Sequence, residues 1–552
     1  MGSTSTINPA CYLGMIRHGC ARLRANKEVI NDLNVFPIPD GDTGDNMFMT
    51  INSGCQNAAA SDHLGDVAKS ISSGMLLGAR GNSGVILSRI FAGIGRGLEG
   101  VKEADLETFI SAMSKGVEES YKAVSVPVEG TILTVFREGV EKASAQSASS
   151  LEEYLGNMIP EMEASLERTP ELLPTLKEAG VIDSGGAGIL AIVKGMAEAL
   201  ESDEDVVLPD NPAPEAAHGP VNLDAFSEND ELEFGYCTEF LLRLQTSKVN
   251  LDTFDANEIK DYLTEAGESV VCFREGSIVK VHVHTKTPGE ILNHCQRWGE
   301  FLTLKIENMA LQHNENVRKK AESQEEPEFK IRKRYGVVAV ASGNGISEML
   351  KEAGADIVIE GGQTMNPSTG SFIDAFEQIN ADCIFVYPDN SNIILTALQA
   401  ASLYEKAKIV VIPSKNIGAG YVAIASLDKS EKDVEALIQS QKQIIDDTLC
   451  AVVSKANRDA LMDGVKVKDG HYIGILGGEI ITDNPSVDNA LLDLCEKTGI
   501  QEHDVALLFY GQDINEEQAQ SIYETLSARY PNTEFMLTDG GQPVYDYILT
   551  LC

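Results

Sequence analysis

The stretch Asn34-Val35-Phe36-Pro37-Ile38-Pro39-Asp40-Gly41-Asp42-Thr43-Gly44-Asp45-Asn46-Met47 gathers prolines, glycines and oxygen donors into one short segment. Pro37 and Pro39 fix φ and stiffen the approach, while Gly41 and Gly44 permit a tight bend. Asp40 and Asp42 flank one glycine, so a bend there aims both carboxylates at a single hard cation. Mg²⁺ favours such a pair, with phosphate oxygens and water completing its shell. An exposed acidic turn is the alternative, because Asp and Gly are ordinary turn residues. A Ca²⁺ loop of the EF-hand kind would need a bidentate Glu at its twelfth position, which is missing.

The charge of the whole chain sharpens the metal reading. Its 552 residues carry 84 acidic against 44 basic side chains, a net charge of −40. A nucleotide would be repelled by such a surface unless a divalent cation bridged carboxylate to phosphate.

Two further loops have a matching character. Gly78-Ala79-Arg80-Gly81-Asn82-Ser83-Gly84 precedes the apolar run Val85 to Phe91, and Gly180-Val181-Ile182-Asp183-Ser184-Gly185-Gly186-Ala187-Gly188 precedes a helix expected from Ile189 to Leu200. Glycines let backbone N–H groups approach an anion, and a helix N-terminus beneath them is a ready phosphate site. Neither loop fits the P-loop or dinucleotide fingerprints. Helix-capping punctuation is the alternative for each loop taken alone.

Four motifs, NVFPIPDGDTGDNM, GARGNSGVIL, PVEGTILTV (Pro127 to Val135) and GVIDSGGAG, resemble in this order those of the DhaL-type family, the nucleotide-binding module of dihydroxyacetone kinases. The resemblance is closest to the multidomain branch, the ATP-binding subunit of bacterial fatty acid kinase, and extends over essentially the whole chain. It implies a kinase that uses ATP and two Mg²⁺ ions. Asp40 and Asp42 would hold the metal. Asn34 stands where the family has a further Asp and offers an amide oxygen instead. Thr43, Gly44 and Asn46 align with residues that touch phosphate or metal, and Asn82, Ser83 and Gly84 with donors to the β- and γ-phosphates. Gly130 and Thr131 fall near the base, and Asp183, Gly185 and Gly186 in the loop closing over it. Lys177 stands where the dihydroxyacetone kinase module has an Arg.

Composition and punctuation suggest the organisation. Residues 1–200 read as an all-α domain, with helices expected over Phe109 to Val124 and Thr131 to Ala145, in agreement with the helical barrel of the DhaL family. An acidic, proline-containing linker follows at 201–231. Residues 232–316 read as a small α+β domain, with strands Cys237 to Leu244 and Ile278 to Thr285 and helices Leu251 to Glu265 and Pro288 to Trp298. A charged linker spans 317–333. Residues 334–552 read as a two-lobed α/β domain, in which Gly336 to Ala341, Ala355 to Ile359, Cys383 to Val386 and Ile409 to Ile412 have parallel-strand character. Tyr472 to Leu476, Val505 to Phe509 and Glu534 to Leu537 continue that theme. This domain resembles the carrier fold that fatty acid kinases use to hold acyl chains.

His282 and His284 are two apart on an expected strand, so they share a face. Zinc needs three or four donors of this kind. Cys237 is the best third candidate, with Cys272, Glu239 and Glu307 in reserve. A surface-facing His pair with a buried Cys is the alternative. The resemblance implies a zinc site at Cys237, His282 and His284, as the middle domain of the fatty acid kinases carries a Cys-plus-HxH set there. His18, His63 and His471 lack partners at ligand spacing.

The acidic balance, pI near 4.5, argues against nucleic acid and anionic membrane surfaces as partners. No apolar run reaches the length of a membrane span, and no secretory signal is read at the N-terminus. Ten scattered cysteines fit a reducing cytoplasm. The resemblance implies a cytoplasmic homodimer that phosphorylates a fatty acid held by a separate carrier protein, giving an acyl phosphate for phospholipid synthesis. A kinase of a free small hydroxy compound and a non-catalytic nucleotide-binding regulator are the other classes open to this sequence.

Overall fold

The computed structural model describes residues 6–33, 38, 41–124, 126–201, 236–250, 254–255, 257–275, 277–308, 332–363 and 365–552. Both expected linkers fall almost wholly outside them. By internal contacts the chain forms two compact units, Met1–Pro212 with Ile331–Cys552, and Ala213–Lys330. Among the described residues, no helix is long and apolar enough to cross a membrane.

The N-terminal part of the first unit is helical: α1 (Pro9–Asn31), α2 (Thr43–Gln56), α3 (Leu64–Gly78), α4 (Gly81–Gly97), α5 (Leu106–Lys122), α6 (Ile132–Ser144), α7 (Leu151–Glu167), the short α8 (Thr169–Leu172) and α9 (Pro174–Ala179), and α10 (Ser184–Glu201). Two-residue strands, β1 (Thr6–Ile7) and β2 (Ala104–Asp105), pair antiparallel beside them. The long helices pack against their neighbours in sequence, and α10 returns against α1, α6 and α7 to close the ring. Period-3.6 patterning explains the packing: on α6, Ile132, Leu133, Val135, Phe136, Val140 and Ala143 are all buried. Capping sets the ends. Asn8 Oδ1 accepts from Cys11 N at 2.8 Å to start α1, and Asp105 Oδ1 accepts from Thr108 N at 2.9 Å to start α5, ahead of the expected Phe109.

Helices α4 and α10 begin inside the glycine loops rather than after them. Gly186 N donates to Asp183 Oδ2 at 2.6 Å, which caps α10 five residues before the expected Ile189. On α4, a Cβ at Gly84 would stand 2.4 Å from Thr50 Oγ1 on α2, so the loop glycines become the close-packed first turn.

The middle unit is a four-stranded antiparallel sheet, order β4–β5–β3–β6, built from β3 (Tyr236–Leu244), β4 (Glu268–Glu275), β5 (Ile278–Thr285) and β6 (Gly299–Asn308). Helices α11 (Asn257–Ala266) and α12 (Pro288–Cys295) supply the rest of its core. The expected helix over 251–265 thus starts late, with 251–253 and 256 outside the described residues. Val279, Val281 and Val283 are buried with Phe240, Leu242, Ile259, Leu263 and Ile291, the alternation of a half-buried strand.

The C-terminal part has two sheets. The expected parallel strands appear as β7 (Lys333–Ala341), β8 (Ile357–Glu360), β9 (Ala381–Tyr387) and β10 (Lys408–Val411), all parallel in the order β10–β9–β7–β8. Both faces are covered. Val337, Ala339, Phe385 and Tyr387 enter one core, and Val338, Val340, Ile384 and Val386 the other, which is why these strands read as unbroken apolar runs. Flanking helices are α13 (Asn344–Ala353), α14 (Thr369–Gln378), α15 (Ile394–Leu403), α16 (Ile417–Ala425) and α17 (Val434–Asp447).

The second sheet corrects the expectation of a continued parallel theme. Its strands are β11 (Leu449–Lys455), β14 (Tyr472–Leu476), β15 (Glu479–Asn484), β16 (Val505–Tyr510), β17 (Glu534–Asp539) and β18 (Tyr545–Leu551), with a separate hairpin of β12 (Ala460–Met462) and β13 (Val465–Val467). In the order β15–β14–β11–β18–β16–β17, only β16 and β17 run parallel. Connection length is the cause. Gly477-Gly478, both at positive φ, form a two-residue turn that forces β14 and β15 antiparallel. Helix α19 (Glu516–Arg529), which follows α18 (Val487–Lys497), supplies the crossover that a parallel pair needs.

Leu263 is buried in the same cluster that Trp298, the chain's only tryptophan, packs against. Leu263→Ala should lower the stability that Trp298 fluorescence reports in denaturant by about 2–5 kcal/mol. An unchanged midpoint would show that this cluster is not the core of the middle unit.

Candidate functional site

The N-termini of α2, α4, α6 and α10 meet at one end of the helical ring. Thr43 and Ser184 join the first and third loops, Ser184 Oγ to Thr43 Oγ1 at 3.2 Å. The first and second meet at Gly81, which has φ +57° and whose absent Cβ would lie 2.5 Å from Asn46 Nδ2. Gly185 and Gly186 of the third loop lie against Ile132 and Val135 of the fourth motif. All four motifs are therefore brought together.

This end is rigidly tied to α1. A Cβ on Gly44 would sit 2.3 Å from Lys27 O, so only glycine lets α2 start here. Asn31 Oδ1 accepts from Gly44 N at 2.7 Å, while Asn31 Nδ2 and Lys27 Nζ each donate to Asp45 at 2.7 Å. The Asp45 bond holds the Lys27 ammonium pKa above its ordinary value. Asp45 is thus structural, and Asn31 and Lys27 are supporting residues that sequence reasoning missed. Neither falls in a motif, and only the short spacing from the end of α1 to Asp45 could have suggested them.

The remaining residues divide clearly. Asp42 precedes α2 and its backbone oxygen accepts from Asn46 N at 2.8 Å. Asn46 is 3% exposed. Asn82, Ser83 and Gly84 form the first turn of α4. Gly130 is buried at φ +85° and its N–H donates to Thr134 Oγ1 at 2.8 Å, while Thr131 precedes α6 in extended backbone. Behind them Thr134, Arg137 and Tyr121 all bond to Glu129, another group sequence reading did not single out. The Asp183 carboxyl is pushed up to about 6 because burial outweighs the N–H groups of Gly186 and Ile132. Lys177 is exposed on α9, and no hydrogen bond or ion pair among the described residues ties it to the cluster. Asn34 and Asp40 lie outside the described residues.

What the arrangement offers is anion binding beside a carboxylate. Each helix start leaves backbone N–H groups without intrahelical partners, and the dipoles add partial positive charge. Phosphate oxygens suit the N–H groups, and a divalent cation suits Asp42. The donor set fits such a cation: Asn366 Oδ1 beside the carboxylate, and Asn82 Oδ1 on the first turn of α4, are buried acceptors without donors among the described residues.

Asn366 comes from the C-terminal domain, whose parallel sheet turns its carboxyl edge toward this end. Ile38, 4% exposed, packs with Met462, Val467, Ile473, Ile475 and Ile480. Asn82 Nδ2 donates to Asn392 Oδ1 at 3.2 Å, and Arg89 Nε to Gln399 Oε1 at 2.9 Å. A cavity of about 620 Å³, lined by Ile38, Gln363, Asp389, Asn392 and Tyr545 among others, opens beside the contact. It lies outside the carboxyl ends of β7, β8 and β9, where open α/β sheets hold ligands.

In the middle unit, backbone register sets Cys237 opposite His284 and Glu307, and His282 opposite Glu239. The side chains of these five lie outside those described. Cys272 pairs with Val281 and packs on the core, the alternate register to the His pair, so it leaves the reserve ligands. Among the described residues no cluster of three or more His, Cys, Asp or Glu could hold a metal; Asp40 and the Cys237, His282 and His284 side chains lie outside those residues.

Residues 37–198 match the DAK2 domain, 233–316 the FakA-like middle domain of the fatty acid kinases, and 336–551 the FakA-like C-terminal region. Protein YloV of Bacillus subtilis is 37% identical over 556 residues, spanning 99% of this chain and 100% of the relative. An uncharacterized protein of Staphylococcus epidermidis is 35% identical over 558 residues, with the same coverage. Dihydroxyacetone kinase from C. freundii, in complex with AMP-PNP and Mg²⁺, is 20% identical over 36% of each chain, with a TM-score of 0.28. DegV, a fatty acid binding protein from Bacillus subtilis, is 15% identical, covering 40% of this chain and 99% of its own, with a TM-score of 0.30. The chain belongs to the FakA-like fatty acid kinase family, with a DAK2 domain ahead of the family's middle and C-terminal regions.

Proposed function

We propose that the chain is an ATP-dependent kinase that phosphorylates the carboxylate of a fatty acid presented by a separate acyl-binding carrier protein, giving an acyl phosphate for phospholipid synthesis. The observation that carries the phosphotransfer reading is the meeting of four helix N-termini beside Asp42. A carboxylate oxygen of the acid attacks the γ-phosphorus, the bond from that phosphorus to the β–γ bridging oxygen breaks, and ADP leaves. The acid is already ionised at neutral pH, so no base is required. Protein work in such a reaction is positioning and charge neutralisation.

Asp40 and Asp42 would hold two Mg²⁺ ions, with Asn34 contributing an amide oxygen. Bound Mg²⁺ supplies neutralisation of the phosphate charge. Thr43, Gly44 and Asn46 line the phosphate end, and the α4 first turn at Asn82, Ser83 and Gly84 donates to the β- and γ-phosphates. Gly130 and Thr131 border the base, with Asp183, Gly185 and Gly186 closing over it and Lys177 at its edge. Zinc in the middle unit would be held by Cys237, His282 and His284, a reading supported by the register that sets Cys237 against His284.

Asp42→Asn should lower phosphotransfer roughly a hundredfold or more while the protein still folds, as expected when a transition-state charge stabiliser is removed. Full activity at ordinary Mg²⁺ would sink the assignment. ATP consumption with fatty acid, with and without purified carrier candidates, separates this reading from a kinase of free dihydroxyacetone. Efficient turnover of the free compound would overturn the carrier.

Elemental analysis of the purified protein should find close to one zinc per chain, lost in Cys237→Ser and His284→Ala. Zinc retained in both variants would mean that the ligands are elsewhere.

Asp183 gives a pH signature. Its folded pKa, about 6, stands above the ordinary carboxyl value of 3.8, so between them the folded state holds a proton that the unfolded state has released. Stability from this group is present at low pH and lost as pH rises to about 6. Asp183→Asn keeps an oxygen for Gly186 N, so it should flatten the fall of melting temperature across that window. A slope unchanged from the wild type would show that Asp183 is not the group titrating.

A further inference from the structure

Asn366 lies between β8 and α14 and is 1% exposed. Its Nδ2 donates to Asp42 Oδ2. The same nitrogen lies 3.3 Å from where a Cβ on Gly81 would stand, beside the Asn46 amide. Because an ionised carboxylate only accepts, this bond fixes which end of the Asn366 amide faces Asp42. The other end, Oδ1, is buried and accepts from nothing among the described residues, and Asn82 Oδ1 is in the same condition.

Buried acceptors without donors are costly, and natural structures rarely leave them so. Asn366 Oδ1 beside the Asp42 carboxylate makes an oxygen-rich spot for which a hydrated hard cation is the matching ligand. The segment is not there by a single contact. Arg80 Nη1 donates to Asn366 O at 2.7 Å, and Thr369 N donates to Ala79 O at 3.1 Å. Gln399 Nε2 reaches Leu76 O at 2.8 Å, farther along the same interface.

We infer that Asn366 is a positioning residue of the metal–phosphate site, orienting the Asp42 carboxylate through Nδ2 and offering Oδ1 to the divalent cation or its water. The site is then complete only with the C-terminal domain docked on it. This rests on the reading of Asp42 as a metal ligand.

The test uses the full chain, a fluorescent non-hydrolysable ATP analogue and a Mg²⁺ titration. Asn366→Ala should raise the Mg²⁺ concentration for half-maximal nucleotide binding by about tenfold, the scale expected for a lost hydrogen bond to a charged group, with an unchanged melting temperature. Asn366→Asp keeps an oxygen for the cation but has no Nδ2 to donate to Asp42, so its midpoint should stay above the wild type; a wild-type midpoint in this variant would overturn the orienting role of Nδ2. Gln399→Ala, which loosens the buried interface away from Asp42, should leave the wild-type midpoint within about twofold, the coupling expected between residues that share no partner. An equal shift in Gln399→Ala would assign the effect to domain docking and overturn the role of Asn366. Wild-type or tighter binding by Asn366→Ala overturns it too, the tighter case marking the domain as a cover over the site. If Asp42→Asn also binds Mg²⁺–nucleotide normally, the reading of the loop itself has failed. If Asp42→Asn is impaired and Asn366→Ala is not, only the role of Asn366 falls.

Discussion

Backbone N–H groups at the starts of α2, α4, α6 and α10 have no partners within their own helices, and the ring of helices turns them toward one another. Everything that holds this end in place serves that convergence. Gly44 lets α2 begin against the Lys27 carbonyl, where any side chain would collide. The Lys27–Asp45–Asn31 cluster then locks the end of α1 to the start of α2. With the helix starts this close, their dipoles add over a small volume. The chain can therefore be strongly acidic overall and still offer one place where an anion is stabilised.

The C-terminal domain meets this place with the edge that α/β sheets use for ligands. Its contacts come from the segments that follow β8 and β9, at Asn366 and Asn392, and from helices α14 and α15. Ile38 adds an apolar anchor from within the signature loop. These are polar contacts at the site and apolar contacts behind it, so docking and site geometry are coupled: a shift of the parallel sheet moves the partners of Asp42 and Asn82 together.

Much of this was legible in the sequence because it depends on local pattern. Helical periodicity gave α5 and α6 to within a few residues, the Val279–Val281–Val283 alternation gave β5, and unbroken apolar runs gave the parallel strands. The phosphate-like loops were visible because glycine and small polar residues cluster there. Features set by distant residues were not. Strand β18 pairs with β11 about a hundred positions away, Val452 opposite Ile548, and no local signal distinguishes that from a parallel neighbour. The early start of α10 depends on Asp183 acting as a cap, which a glycine-rich run disguises as loop. Asn366 lies 324 positions from Asp42, and a lone asparagine before Pro367 reads only as a turn.

The same geometry bears on the proposal that the acceptor comes on a carrier. A free fatty acid carries a carboxylate that the −40 surface repels at long range, and a tail that gains nothing from a site made of N–H groups and carboxylates. The attraction of the helix starts falls off within about a turn, so it acts on a head group already delivered and does little to draw one in. A carrier that buries the tail removes the apolar penalty and presents only the head. It also brings a surface of its own, against which the chain's long-range field can be balanced. On this reading, acidity of the surface and anion affinity of the site are complementary: the first excludes free anions, and the second acts on the one that a partner places within reach.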